Sequence, residues 1–208
     1  AAAASMITPV SIGLITSAIA YYGAEAVAAF GIASRIESLS LIALIALSAS
    51  MGPFVGQNWG AKKYQRVHRA LNLSYLFCLG WGIMVAIILA PSASWLVSLF
   101  NNDPNVIQIA TNYLWFVPIS YAAAGIIYIA SSTFNALGKP IPSMVMTGTR
   151  MIILYIPLAY LGSKLFGVNG IFAAAGISNL VVGISAYVWN QKTCNIKSVK
   201  EKTAEEFV

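Results

Sequence analysis

Glu37 is the first residue of this sequence that suggests ion chemistry, because it stands at the start of a long apolar stretch. Ser40 and Ser48 follow on the same helical face. A carboxylate at membrane depth is costly to bury and is a functional candidate by default. We therefore take Glu37 as a candidate for coupling to H⁺ or Na⁺, and both serines as candidates for a ligand cavity. A solvent-exposed carboxylate, or one paired with Arg35, is the alternative.

A second set of polar and aromatic residues recurs in a later apolar segment at intervals of 3, 4, 3, 4 and 3 residues. This spacing places them on one continuous stripe of a helix. Aromatic faces beside hydrogen-bonding groups suit an amphiphilic organic ligand, including a cationic one. Helix–helix packing is the alternative. The stripe consists of Pro118, Tyr121, Gly125, Tyr128, Ser132 and Asn135.

Prolines inside apolar segments are candidates for bending points. Each removes a backbone donor and forces a kink or a broken helix. We single out Pro118 and Pro157 as hinge candidates, although proline is also common in membrane helices that do not bend.

The other polar residues give no enzyme signature. No phosphate-binding loop, nucleophile elbow or zinc-protease motif is present, and the spacing of His, Cys and acidic residues predicts no metal site and no bound cofactor. His68 is the single histidine and is expected in a solvated loop. Arg150 lies about 12 Å into its segment at 1.5 Å per residue, and either reaches the lipid headgroups or lines an inner cavity.

The composition is that of a protein whose solvent is lipid. Only 9% of the residues are charged and 59% are apolar, with a mean hydropathy of +0.77. A soluble domain carries about 25% charged residues. The net charge of +6 is confined largely to connections and the tail, so it does not predict a nucleic-acid partner.

Six apolar segments of roughly the length that spans a bilayer predict an all-α integral membrane protein. They cover approximately residues 4–22, 36–57, 71–91, 106–135, 142–162 and 168–190. Residues 191–208 are expected to form a cytoplasmic tail.

The distribution of Lys and Arg predicts the orientation. Nine basic residues fall in alternate connections and the tail, against two, Arg35 and Lys164, on the other side. Basic connections remain in the cytoplasm, so both ends of the chain are expected there, in a multi-pass plasma-membrane protein such as one of a bacterial inner membrane. The same charges should attract anionic lipid headgroups. The nine are Lys62, Lys63, Arg66, Arg69, Lys139, Lys192, Lys197, Lys200 and Lys202.

Three sequence runs resemble the multidrug and toxic compound extrusion (MATE) family, in the order and spacing of its second six-helix half. They are Ala26-Val-Ala-Ala-Phe-Gly-Ile-Ala-Ser-Arg-Ile-Glu37, Gly56-Gln-Asn-Trp-Gly-Ala61 and Ala136-Leu-Gly-Lys-Pro140. The resemblance covers the chain up to about residue 190. It implies one lobe of a twelve-helix transporter, with the N-terminal six-helix lobe as its missing partner.

The resemblance further implies export of organic, often cationic, compounds by antiport against H⁺ or Na⁺. One branch of the family uses acids in the first and fourth helices of this lobe, but segments one and four contain none here. The chain is therefore more similar to the branch whose coupling acid lies in the N-terminal lobe.

Two other functions remain open on the sequence alone. A flippase for lipid-linked oligosaccharides, or a polysaccharide exporter, would favour a cationic cavity, for which Arg150 is the available residue. A non-transporting membrane module would need no polar stripe facing a cavity.

Overall fold

The computed structural model describes residues 2–194, with side chains from residue 7 onward, and every regular element in this part is helical. The predicted all-α membrane fold is confirmed. The helices are α1 (Ala2–Ala20), α2 (Ala24–Gly60), α3 (Tyr64–Ser98), α4 (Pro104–Phe116), α5 (Tyr121–Ala136), α6 (Pro140–Gly148), α7 (Ile156–Phe166) and α8 (Val168–Cys194).

Five continuous helical stretches are long and apolar enough to cross a membrane, and the described apolar part of α1, Ile7–Ala20, is shorter. The five stretches and α1 together correspond to the six predicted segments. Residues 195–208 of the predicted cytoplasmic tail lie outside the described residues. The five stretches are Ala24–Gly60, Tyr64–Ser98, Pro104–Ala136, Pro140–Phe166 and Val168–Cys194.

Helix α2 begins well before the predicted second segment, residues 36–57. Helix α2 begins at Ala24, directly after Gly23 with its φ of 103°, and continues without a break to Gly60. The alanine-rich run after Gly23 favours helix, so the chain does not form a connection there. Arg35 and Glu37 consequently lie about three turns inside α2. Arg35 is an exposed residue of this helix and does not belong to a loop.

Helix α5 lies at the centre of the described bundle and packs most extensively against α2, α8 and α3. Small residues make these close contacts possible. A Cβ on Gly82 of α3 would lie 2.6 Å from the backbone nitrogen of Ala122, and one on Gly183 of α8 would lie 2.7 Å from the Cβ of Ala123. In lipid, helices associate through such small-residue packing.

A face of small residues on α2 packs against α5. Ser48 donates to the carbonyl oxygen of Tyr128 at 2.8 Å, and Ser132 donates to the carbonyl oxygen of Ser48 at 2.7 Å. A Cβ on Gly52 would lie 3.0 Å from the Ser132 hydroxyl. The two reciprocal hydrogen bonds join the helices where their backbones approach.

Two of the spanning stretches change helical type at the predicted hinge prolines. Between α4 and α5, a 3₁₀ turn at Val117–Ser120 contains Pro118. Between α6 and α7, a π-helix at Thr149–Tyr155 precedes Pro157. Proline cannot donate to the preceding turn, which loosens the helix at these points.

The basic connections meet at one end of the bundle. Gln191, near the end of α8, donates to the side-chain oxygen of Asn72, in the first turns of α3, at 2.5 Å. Lys139, before α6, lies near Cys194 at the end of α8. The α2–α3 turn, the α5–α6 turn and the end of α8 therefore share one face, which we call the basic end.

Replacing Gly82 by Ala should destabilise the lobe by about 1–3 kcal/mol, because the new methyl group would overlap the backbone of Ala122. Gly80→Ala is the matched control on the same helix, because a Cβ there meets no atom within 4 Å. Thermal unfolding of the purified protein in detergent measures both. Equal melting temperatures for the two variants would contradict the packing of α3 on α5.

Candidate functional site

Two polar cavities lie side by side within the described lobe. The first, which we call the Glu37 cavity, has a volume of about 310 Å³ and extends from Phe30 and Glu37 of α2 to the π-helix and α8. The second, the Asn135 cavity, has a volume of about 370 Å³ and extends from α5 to α6. Its polar lining includes Ser131, Asn135, Ser143 and Thr147.

Thr8, Tyr128 and Arg150 line both cavities. The Asn135 cavity lies toward the basic end, because Asn135 and Pro140 flank the α5–α6 turn. The Glu37 cavity continues from Tyr128 toward the opposite end. The three shared residues thus stand where a ligand moving along the lobe would pass from one cavity to the other.

Glu37 accepts a short hydrogen bond from the hydroxyl of Tyr113 on α4. Two aromatic rings position Tyr113 by edge-on contacts, Phe30 at 5.9 Å and Phe172 at 4.9 Å between ring centroids. Such contacts are the preferred geometry for aromatic pairs. The carboxylate is therefore held in place from α4 and α8 while it lines the cavity.

Arg150 is 9% exposed and takes part in a chain of side-chain hydrogen bonds. Its Nη1 donates to Oδ1 of Asn179 at 3.2 Å, and Nδ2 of Asn179 donates to the hydroxyl of Ser120 at 3.1 Å. Ser120 in turn donates to the carbonyl oxygen of Val117 at 2.8 Å. The chain connects the π-helix through α8 to the 3₁₀ turn that contains Pro118.

The Nε of Arg150 is buried and has no hydrogen-bond partner within the described part of the chain. A buried donor without a partner is costly, and a guanidinium suits carboxylate or phosphate oxygens. Of the two positions expected for the Arg150 side chain, at the lipid headgroups or on an inner cavity, the structure shows the second. The side chain lies on the walls of both cavities.

The predicted stripe does not face one cavity. Tyr128 lines both cavities and Asn135 lines one. Ser132 is engaged with the backbone of α2. Tyr121 is completely buried, and a Cβ on Gly125 would lie 2.9 Å from both Leu44 and Cys78.

The expected continuous cavity wall is therefore corrected, because α5 is central and α2 and α3 cover its first turns. Pro118 is likewise buried. Ser40 and Ser48, also predicted to face a cavity, line neither one. The Ser40 hydroxyl donates to the carbonyl oxygen of Ile36 within α2 at 2.8 Å, and the Ser48 hydroxyl donates to α5.

Sequence reasoning missed two residues that hold the charged groups. Tyr113 lies five residues before Pro118, off the spacing of the stripe, which would continue backwards to Leu114 and Thr111. Asn179 is an amide within an apolar segment, a signal of an interhelical hydrogen bond. Neither residue shares a sequence motif with the group that it contacts.

Comparison with known proteins identifies the family of this arrangement. The MatE family model matches residues 1–161. The chain belongs to the MATE family. Relatives and structural neighbours in this family are named as transporters or export proteins.

The names of the relatives refer to more than one kind of substrate. A protein of Shewanella oneidensis named "FAD transporter" is 40% identical over 205 residues, which are 99% of this chain and 45% of the relative. The "Multidrug export protein MepA" of Staphylococcus haemolyticus is 23% identical over 81% of this chain and 37% of that protein.

Solved structures of MATE transporters have the same fold as this chain. The bent form of the Vibrio cholerae MATE transporter VcmN superimposes with a TM-score of 0.89 at 30% identity, covering 94% of this chain and 45% of VcmN. The chain spans less than half the length of these relatives, as expected for one lobe of a transporter.

Replacing Asn179 by Ala should destabilise the lobe by about 1–3 kcal/mol, because it leaves the Arg150 guanidinium buried without its amide partner. Ser185→Ala, which removes an exposed hydroxyl bonded only within α8, is the matched control. Denaturant titration of the purified protein measures both. A loss no larger than that of the control would show that the hydrogen-bond chain does not stabilise Arg150.

Proposed function

We propose that this chain forms one six-helix half of a secondary active exporter that moves organic compounds by antiport against H⁺ or Na⁺. The observation that carries the proposal is the presence of Glu37 and Arg150 on the walls of one cavity inside an apolar lobe. Charged groups at such a depth mark ion and substrate paths in transporters. Alternating access would expose the cavity to one side of the membrane and then the other.

Glu37 is the coupling candidate within this half. Its carboxylate accepts from Tyr113 and shares its cavity with a guanidinium. Binding a proton or Na⁺ would neutralise the carboxylate and change the charge of the cavity from balanced to positive. A cationic substrate and the coupling ion would then compete for Glu37, which is the requirement for antiport.

The substrate candidates in this half are the residues that line the cavities. Tyr128 joins the two, and Asn135, Ser131 and Thr147 supply hydrogen-bonding groups. Each cavity is at the lower end of the usual range for organic ligands, about 300–1,000 Å³. Aromatic and apolar walls with a few polar groups suit amphiphilic compounds, so multidrug export fits the site.

Export of FAD is a second candidate, favoured by a specific feature of the cavity. The relative named "FAD transporter" is 40% identical over nearly the whole of this chain. A dinucleotide carries a pyrophosphate, and the Arg150 side chain lines both cavities. Guanidinium groups recognise phosphate oxygens well, and the ring of Tyr128 would be available for stacking.

The irregular helical segments near Pro118 and Pro157 are the candidate bending points, and the basic end sets the expected orientation in the membrane. The 3₁₀ turn at Pro118 and the π-helix before Pro157 interrupt two stretches that line the cavities, so bending there would change the cavity shape. The basic end is assigned to the cytoplasm by its charge, in a bacterial inner membrane. Both ends of this half would then be cytoplasmic.

One transport assay tests the coupling and the substrate together. Vesicles containing the intact protein are loaded with either a fluorescent organic cation or FAD, and export is followed with and without pH and Na⁺ gradients. Glu37→Gln should reduce gradient-driven transport of the cation about tenfold or more, since the competition for its carboxylate is lost. Glu25→Gln, at the start of α2, is the matched control.

Arg150→Gln separates the two substrate classes. If FAD is a substrate, this variant should lower FAD export much more than export of the cation, because the guanidinium would contact phosphate in addition to its structural hydrogen bond to Asn179. Export that is independent of both gradients would contradict antiport. If Glu37→Gln still couples transport fully to the gradient, Glu37 is not the coupling group, and the coupling group lies outside this half.

A further inference from the structure

A groove with a volume of about 970 Å³ runs along the outside of the lobe, away from both polar cavities. Helices α3 and α8 form its walls and α5 its floor. Both walls pack closely on α5 but hardly touch each other over most of their length. At the basic end the walls meet through the Asn72–Gln191 hydrogen bond and an edge contact between Tyr75 and Tyr187.

The groove is apolar along its length and polar at one end. Exposed aliphatic side chains such as Leu76, Ile83 and Ile184 line the apolar part, within stretches that are candidate membrane spans. His68, Asn72, Gln191 and Lys192 line the end near the connections. From His68 to Ile83 the groove extends about 22 Å along α3, compared with about 15 Å for the hydrocarbon of one leaflet.

The charge at the polar end is of one sign among the described residues. Arg66 and Arg69 lie in the first turns of α3 and Lys192 in the last turn of α8. Of the three acids in the described chain, Glu25 and Asp103 begin α2 and α4 at the opposite end, and Glu37 lines its own cavity. An anionic group at the polar end would therefore meet cationic and amide side chains of α3 and α8.

We propose that this groove, the α3–α8 groove, is a binding site for an anionic phospholipid. One acyl chain lies between α3 and α8 on the small residues of α5, and the phosphate lies at the end formed by His68, Asn72, Gln191 and Lys192. The site is independent of the proposed transport activity.

Native mass spectrometry of the intact protein tests the proposal, with phosphatidylglycerol and phosphatidylcholine of equal chain length added in detergent. The unmodified protein should retain phosphatidylglycerol preferentially. The double variant Arg69→Gln with Lys192→Gln should lower its retention on the order of tenfold, from the loss of two cations near the phosphate. Lys164→Gln, in the last turn of α7, is the charge control and should retain it normally.

A steric pair tests the acyl chain separately. Ile184→Trp should fill the groove and reduce retention, whereas Leu73→Trp, also exposed but outside the groove, should not. Equal retention by the two tryptophan variants, or by the two charge variants, would overturn the proposal. So would protection of Ile184→Cys from a membrane-soluble maleimide in delipidated intact protein, because protein would then occupy the groove.

Discussion

The burial of one guanidinium inside an apolar bundle is the constraint on which the rest of the lobe depends. Arg150 is nearly inaccessible and must be satisfied without bulk water, because leaving such a group unpaired in hydrocarbon is costly. Asn179 and Ser120 meet part of this requirement and connect the π-helix to the 3₁₀ turn. The two irregular segments of the lobe are thus joined by the same hydrogen bonds that hold its buried cation.

This arrangement also explains why cavities occur where they do. Helix α5 is covered by small-residue contacts over its first turns and lines the cavities from Ile127 onward. Glu37 and Arg150 then face the same cavity from α2 and from the π-helix. The carboxylate bonds to Tyr113 and the guanidinium to Asn179, so each charged group has its own partner while both line the same cavity.

The sequence predicts the helical class, the number of segments and the basic end, because these follow from hydropathy and charge that are local in the chain. It also predicts Glu37 as a candidate for ion coupling and Tyr128 as a candidate for the wall of a ligand cavity. It cannot show that Tyr121 and Gly125 are covered while Tyr128 is open, since all three share one helical face. The difference arises from which neighbouring helix covers each turn of α5, and that is a tertiary property. The start of α2 was missed because Arg35 and Glu37 resemble the polar edge of a span.

The central structural claim is that α5 faces a cavity at Tyr128 but is covered by neighbouring helices at Tyr121. Cysteine substituted at each position in the intact protein, reacted with a charged, water-soluble methanethiosulfonate, measures this difference, against a background in which native Cys78 and Cys194 are buried. The account predicts rapid labelling of Tyr128→Cys, slowed by added substrate, and little labelling of Tyr121→Cys. Equal labelling at both positions, or none at Tyr128→Cys, would contradict it.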